Sequence, residues 1–93
     1  MHYVYIVECR DCTLYTGYST NIEKRIAKHN SGKGAKYTRS RLPVTLLAFW
    51  AFDSKASALR EEYRIKRLSR EQKLKLIEAN SESWSFQTQN NQT

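Results

Sequence analysis

The longest apolar run in the chain, Val44 to Phe52, is broken only by Thr45. Continuous rather than alternating hydrophobicity over so short a run suits a strand buried on both faces, and it commits the chain to building a sheet. Two further segments supply neighbours for it. Tyr3-Val4-Tyr5-Ile6-Val7 is β-branched and aromatic throughout, and Thr13-Leu14-Tyr15-Thr16-Gly17-Tyr18 also reads as a strand. The polar link Glu8-Cys9-Arg10-Asp11-Cys12 between them is short enough for an antiparallel hairpin.

Helix signals fill the remaining intervals. Thr20 and Glu23 have capping-box spacing and predict a helix to about Asn30, with Gly32 as its C-terminal stop. Ser31 to Leu42 is rich in Gly, Lys, Arg and Ser, which predicts an exposed, mobile, basic loop closed by Pro43. Ser54 can cap a helix to about Leu68, and Ser69 with Gln72 predicts another to about Ala79. Ser81 to Thr93 is mostly Ser, Gln, Asn and Thr, so a disordered tail is expected there, with Trp84 and Phe86 able to make a docking contact. The sequence has no internal repeat. A chain of 93 residues supports one core rather than two. The expected division is one domain over 1–80 and a polar tail over 81–93.

Charge narrows the function. Lys24, Arg25, Lys28, Lys33, Lys36, Arg39 and Arg41 lie between Lys24 and Trp50 without one acid among them, while the rest of the chain carries nine residues of each sign. The whole excess of +7 therefore sits in that stretch. A concentrated basic field attracts polyanions, nucleic acid above all. No stretch approaches the roughly 20 apolar residues of a membrane span. Met1 to Tyr5 has no basic region ahead of an apolar run, so no signal peptide is expected. Cys9 and Cys12 are too few for a disulfide scaffold, and a cytoplasmic address is the default. Their CxxC spacing has no second pair to complete a zinc site, and it lies in a strand link rather than at a helix start.

Helical geometry selects which polar side chains lean inward. At about 100° per residue, Ile22 and Ile26 mark a buried stripe, with His29 roughly −20° and Arg25 roughly −60° from Ile22. Lys24 and Lys28 face away. On the later helix, Leu59 and Tyr63 are read as the buried stripe, which puts Glu62 at roughly −60° and Lys66 at roughly −20° from Leu59. Glu61 then points to solvent. Glu62 and Arg25 could form a structural ion pair between helices, or they could serve chemistry. Tyr3 and Tyr5 share one face of the first strand, and Tyr5 and Tyr15 lie on paired strands. Trp50 reads as core, and His2 carries no argument.

Taken in order, these residues resemble the GIY-YIG nuclease superfamily. Tyr3-Val4-Tyr5 and Tyr15-Thr16-Gly17 are similar to its paired GIY and YIG strands. Arg25 and His29 match its Arg-x-x-x-His, and Ala58-Leu59-Arg60-Glu61-Glu62 resembles its metal-binding helix, in a register that selects Glu62. Tyr3 stands where the first glycine of GIY would be, and Thr16 where YIG has isoleucine. The resemblance covers residues 3 to about 77. Gly32 to Arg39 and Ile65-Lys66-Arg67-Leu68-Ser69 are typical of the small single-domain YhbQ-like bacterial proteins of that superfamily.

The resemblance implies an α/β (α+β) domain in which a small three-stranded antiparallel sheet is flanked by helices. It implies hydrolysis of nucleic-acid phosphodiester bonds, most simply in DNA, and a place in DNA repair or recombination. Glu62 would bind one divalent ion, Mg²⁺ or Mn²⁺, since hard cations take oxygen ligands and one carboxylate cannot anchor two metals. Tyr5 would be general base or orient the attacking water, Arg25 would neutralise charge on phosphorus, and Tyr15 would hydrogen-bond phosphate or water. His29 would take a proton from Tyr5 or the water. Lys33, Lys36, Arg39 and Arg41 would hold the nucleic-acid backbone without reading sequence. Larger members add a DNA-binding domain or a partner, so a protein partner or a homodimer belongs to the expectation. Two rivals remain at this point: a nucleic-acid-binding module without turnover, and an interaction protein in which Arg25–Glu62 is only an ion pair.

Overall fold

The first strand, not the most apolar one, occupies the centre of the sheet. In the computed structural model, which describes residues 1–80, β1 (His2–Glu8) pairs antiparallel with both β2 (Leu14–Ser19) and β3 (Thr45–Phe52), giving the order β2-β1-β3. Val4, Tyr5, Ile6 and Val7 are consequently fully buried, on both faces of the sheet. The expectation that Val44–Phe52 is buried on both faces is corrected: β3 is an edge strand, with Thr45 and Ala51 exposed and only Ala48 buried within it. Apolar content reports what a strand offers, while pairing order decides how much of it is covered.

Between the sheet strands lie α1 (Ile22–Asn30) and α2 (Lys36–Arg39), followed after β3 by α3 (Lys55–Lys66) and a further helix, α4, over residues 70–80. Ile22 and Ile26 pack on the sheet face that carries Tyr5, Val7 and Val44. Ala58 and Ile65 of α3 pack on the opposite face, against Val4 and Ile6. Full burial of a Val or Ile side chain contributes about 1.5–3 kcal/mol, so these two layers hold the sheet between helices. No helix among the described residues is long and apolar enough to cross a membrane.

Several local expectations change. Asn21, not Thr20, caps α1, its side-chain oxygen accepting from the backbone N–H of Lys24 at 3.0 Å. The capping box at Ser69 and Gln72 is present in both directions, at 3.0 and 3.2 Å. Gly32 has φ +84°, the left-handed conformation that ends a helix and that glycine adopts without strain. On α3 the buried stripe is Ala58 and Ile65, whereas Leu59 and Tyr63 are exposed. Small Ala58 lets the helix approach the sheet, so it faces inward in place of its larger neighbour. The stripe therefore passes between Glu61 and Glu62, and Glu61 is half-buried and paired with Arg64 rather than pointing away.

The segment from Ser31 to Leu42 is not the free loop its composition suggests. It contains α2, buries Thr38 completely, and is strapped to the β1–β2 turn. Arg10 N–H donates to the carbonyl of Arg41 at 2.8 Å, and Arg41 Nε pairs with Asp11 at 3.0 Å. Cys9 is buried in that turn and Cys12 is exposed at φ +68°, both as free thiols. Trp50 is half-buried against the Val4–Ile6 layer. The expected disordered tail, with Trp84 and Phe86, lies outside the described residues.

Candidate active site

Alternation along β1 turns Tyr3, Tyr5 and Val7 toward α1. Tyr5 stands directly opposite Gly17 of β2, and Val7 opposite Tyr15, so Tyr5 and Tyr15 are diagonal neighbours on one face. The phenol of Tyr5 fills the space that a side chain at Gly17 would take. From α1, His29 and Arg25 converge on the same hydroxyl. His29 Nε2 lies 2.8 Å from the Tyr5 oxygen, and Arg25 Nε donates to that oxygen at 3.3 Å. The Tyr15 ring meets the edge of the His29 ring at 5.5 Å and stacks on Tyr37 at 6.0 Å.

Tyr5 and His29 have no exposed surface, so they form the floor of the cluster. Arg25 and Tyr15 are half-buried at its edge, and Glu62 is half-buried on α3. Burial raises the Tyr5 pKa above its ordinary value of 10.0, and the neighbouring charges of Tyr15 and Glu62 add to this. The hydrogen bond and positive charge of Arg25 oppose the rise without overcoming it. Tyr5 is thus a neutral phenol at physiological pH. Burial, followed by the charge of Arg25, lowers the His29 pKa below 6.5, so the imidazole is neutral as well. A neutral imidazole 2.8 Å from a phenol O–H can receive its proton.

Glu62 approaches the cluster from α3, near enough for its charge to act on Tyr5. Its side chain is 17% exposed, and Oε2 forms an ion pair with Lys66, one turn along, at 3.2 Å. The ion pair weighed between Arg25 and Glu62 is not formed: Arg25 bonds Tyr5 instead, and Glu62 bonds Lys66. Among the described residues, no group of three or more His, Cys, Asp and Glu gathers as a metal cage. A single half-buried carboxylate suits a hard cation that keeps its waters and takes its other ligands from a phosphate.

The four cations assigned to the nucleic-acid backbone divide into two kinds. Lys33, Lys36 and Arg39 are exposed. Arg41 is held by Asp11, donates to the Tyr37 carbonyl at 2.6 Å, and lies 4.0 Å over the Tyr37 ring. Sequence reasoning passed over two residues that the cluster uses. Thr38 Oγ1 is 2.8 Å from His29 Nδ1, and Gly34 lies so close to His29 that a Cβ there would come within 2.4 Å of Nδ1. Both lie in the stretch whose composition reads as loop, and only the run Gly32 to Arg39 as a unit marked it. Beside Tyr15, a cavity of about 280 Å³ is bounded by Leu14, Thr16, Tyr37, Lys66 and Lys73.

Comparison with known proteins gives a consistent result. The family model described as the GIY-YIG catalytic domain matches residues 1–75. A UPF0213 protein of Staphylococcus haemolyticus is 64% identical, over 83% of this chain and 94% of its own length. A UPF0213 protein of Halobacterium salinarum is 62% identical, over 78% of this chain and 95% of its own. The solution NMR structure of a UPF0213 protein from Bacillus halodurans superimposes with a TM-score of 0.56 at 58% identity, covering 84% of this chain and 83% of that one. A second solution NMR structure, of a protein from E. faecalis, gives 0.58 at 39% identity with the same coverage.

Proposed function

This chain belongs to the family of GIY-YIG catalytic domains, and we propose that it hydrolyses phosphodiester bonds in nucleic acid, DNA first, with the help of one divalent ion. The family supports nuclease-type chemistry on a nucleic-acid substrate in general terms. The finer reading rests on one observation: Arg25 spends only Nε on Tyr5. The two terminal nitrogens of its guanidinium have no hydrogen-bond partner among the described residues. They form a fork suited to two phosphate oxygens.

The phosphate would meet the edge of the cluster first. Arg25 would neutralise charge developing on phosphorus, and Tyr15 would donate a hydrogen bond to a phosphate oxygen or the water. Glu62, freed from Lys66, would hold Mg²⁺ or Mn²⁺, whose chemistry when bound is to polarise the phosphoryl oxygens and stabilise the leaving oxyanion. Tyr5 is protonated at rest, so it acts as a relay rather than as a standing tyrosinate. Water gives a proton to the Tyr5 oxygen as the original Tyr5 proton passes to Nε2 of His29. The resulting hydroxide attacks phosphorus, the P–O bond to the leaving oxygen breaks, and that oxygen takes a proton from solvent. Water must reach the buried Tyr5 oxygen for this, and a shift of the long Arg25 side chain on binding phosphate would open the way. Lys33, Lys36 and Arg39 would track the backbone beyond the site.

Cleavage of plasmid, branched and single-stranded DNA with Mg²⁺ or Mn²⁺ tests the proposal. Glu62→Gln and Tyr5→Phe should each reduce cleavage by about a hundredfold or more. Glu61→Gln should stay near wild type, because Glu61 pairs with Arg64 on its own helix. Cleavage that survives in Glu62→Gln or Tyr5→Phe removes the site assignment. The buried Tyr5 and the Glu62–Lys66 pair favour a second reading, a binding module of this fold without turnover. Salt-dependent DNA binding with no cleavage in either metal would select it.

A further inference from the structure

His29 makes two hydrogen bonds, one through each ring nitrogen, and only one tautomer satisfies both partners. A hydroxyl has one proton to give. Thr38 Oγ1 donates its proton to the Ala35 carbonyl at 3.1 Å. With its proton on that carbonyl, the same oxygen is free to accept at the 2.8 Å contact with His29 Nδ1. Arg25 donates to the Tyr5 oxygen, so the buried Tyr5 proton has Nε2 of His29, at 2.8 Å, as its acceptor; the neutral ring then carries its own proton on Nδ1 and gives it to Thr38. In the opposite tautomer Thr38 would turn its proton to Nδ1 and Nε2–H would point at Tyr5, whose own buried hydroxyl proton would then have no acceptor among the described residues.

We propose that Thr38 is a positioning residue that holds His29 in its Nδ1–H tautomer and so keeps Nε2 open to the Tyr5 proton. Burial makes the device effective. Thr38, His29 and Tyr5 have no exposed surface, so water cannot substitute for the threonine hydroxyl. Gly34 closes the same edge of the ring, since even a Cβ there would come within 2.4 Å of Nδ1 and 2.7 Å of the His29 Cα. The short helix α2 and the turn before it are thereby part of the machinery. Their backbone, through the Ala35 carbonyl, sets a hydroxyl, the hydroxyl sets a ring, and the ring receives a proton. The tautomer follows from hydrogen bonding alone. Its catalytic consequence rests on the nuclease reading proposed above.

The decisive measurement needs no substrate. Long-range ¹H–¹⁵N correlation NMR of the full chain at neutral pH distinguishes a protonated from a bare ring nitrogen, with His2 as an internal reference. In the wild type, His29 should show a protonated Nδ1 and a bare Nε2, and the reverse pattern would overturn the proposal. Thr38→Val keeps the shape and removes the hydroxyl, and it should give a mixture of tautomers or the Nε2–H form. Thr38→Ser should restore the wild-type pattern. Should Thr38→Val fail to fold, as judged from its amide spectrum, the wild-type spectrum still decides. In cleavage assays Thr38→Val should lower kcat by about ten- to a hundredfold, by analogy with other orienting partners of histidine, with KM nearly unchanged and Thr38→Ser close to wild type. An Nδ1–H tautomer that persists in Thr38→Val would sink the assignment. Absence of cleavage by the wild type would instead defeat the nuclease reading, and the spectrum would still judge the role of Thr38.

Discussion

Gly17 and Tyr5 face each other across the β1–β2 ladder, and the phenol of Tyr5 occupies the volume a side chain at Gly17 would need. A Cβ at Gly17 would stand 2.4 Å from the Tyr5 oxygen and 2.5 Å from its ring carbon Cζ. The glycine of Tyr15-Thr16-Gly17 is therefore required by the tyrosine of Tyr3-Val4-Tyr5, through space rather than through backbone conformation.

Gly17→Ala should then act at a distance of one methyl group. The Tyr5 ring is enclosed and cannot swing aside cheaply, so overpacking should destabilise the fold by about 1–3 kcal/mol. The displaced hydroxyl should also lose its contacts with His29 and Arg25. Denaturant melts and cleavage rates check the two effects separately. A variant with wild-type stability and activity would mean that the Tyr5 hydroxyl has freedom the packing denies it.

Much of this relationship is legible in the sequence, and the limits have physical causes. The stripe Ile22–Ile26 located Arg25 and His29, because a single helix packing on a sheet shows its period clearly. Glu62 was selected from the wrong stripe. Leu59 and Tyr63 lie four apart, the buried Ala58 and Ile65 seven apart, and size suggests the larger pair, although close approach to the sheet favours the alanine. Glu62 still leans inward because it lies beside either stripe, whereas Glu61 was misplaced. The central position went to β1 rather than to the more apolar β3, since pairing order is not written in composition. Thr38 was invisible for a different reason. Its importance lies in a hydrogen bond to a residue nine positions earlier, within a segment whose Gly, Lys and Ser content reads as loop.

His29 should make stability depend on pH. Its native pKa lies below 6.5 because burial disfavours the imidazolium, while the unfolded chain titrates near 6.5. As pH falls through 6.5 toward the native value, the unfolded state binds more protons, so stability falls. The contribution is complete above 6.5 and lost below the native pKa. Thermal melts from pH 8 to 5 should show a steeper acid decline for the wild type than for His29→Gln. Equal slopes would show that burial does not hold the imidazole neutral. If His29 also receives the Tyr5 proton, the acid limb of kcat/KM should lie below pH 6.5 for the same reason.

Thr16 stands where the superfamily has isoleucine, and the structure shows the consequence. The residue is 3% exposed, and among the described residues its hydroxyl is the buried side-chain group left without a partner. Leaving such a group unmade costs about 1–3 kcal/mol, whereas an apolar replacement of the same shape costs nothing. Thr16→Val should raise the melting temperature, corresponding to about 1 kcal/mol, with cleavage unchanged. A lower melting temperature would show that the hydroxyl has a partner, such as a bound water.

The basic segment should separate into binding and structural cations. Lys33, Lys36 and Arg39 are exposed, while Arg41 is tied to Asp11, to the Tyr37 carbonyl and to the Tyr37 ring. Each phosphate contact contributes about 0.9 to the slope of log K against log salt on duplex DNA. Replacing Lys36 and Arg39 by alanine should therefore flatten that slope by roughly 2 and leave stability nearly unchanged, since neither side chain is packed. Arg41→Ala should do the opposite. It frees Asp11, uncovers Tyr37 and loosens the strap between the β1–β2 turn and α2, so stability should fall. Any loss of cleavage should come through Thr38 and His29, at nearly constant salt slope. Titrations over a range of salt, paired with melts of the same variants, distinguish the two classes. An Arg41→Ala protein that melts like the wild type but binds with a slope shallower by about 1 would place Arg41 among the phosphate-binding cations after all.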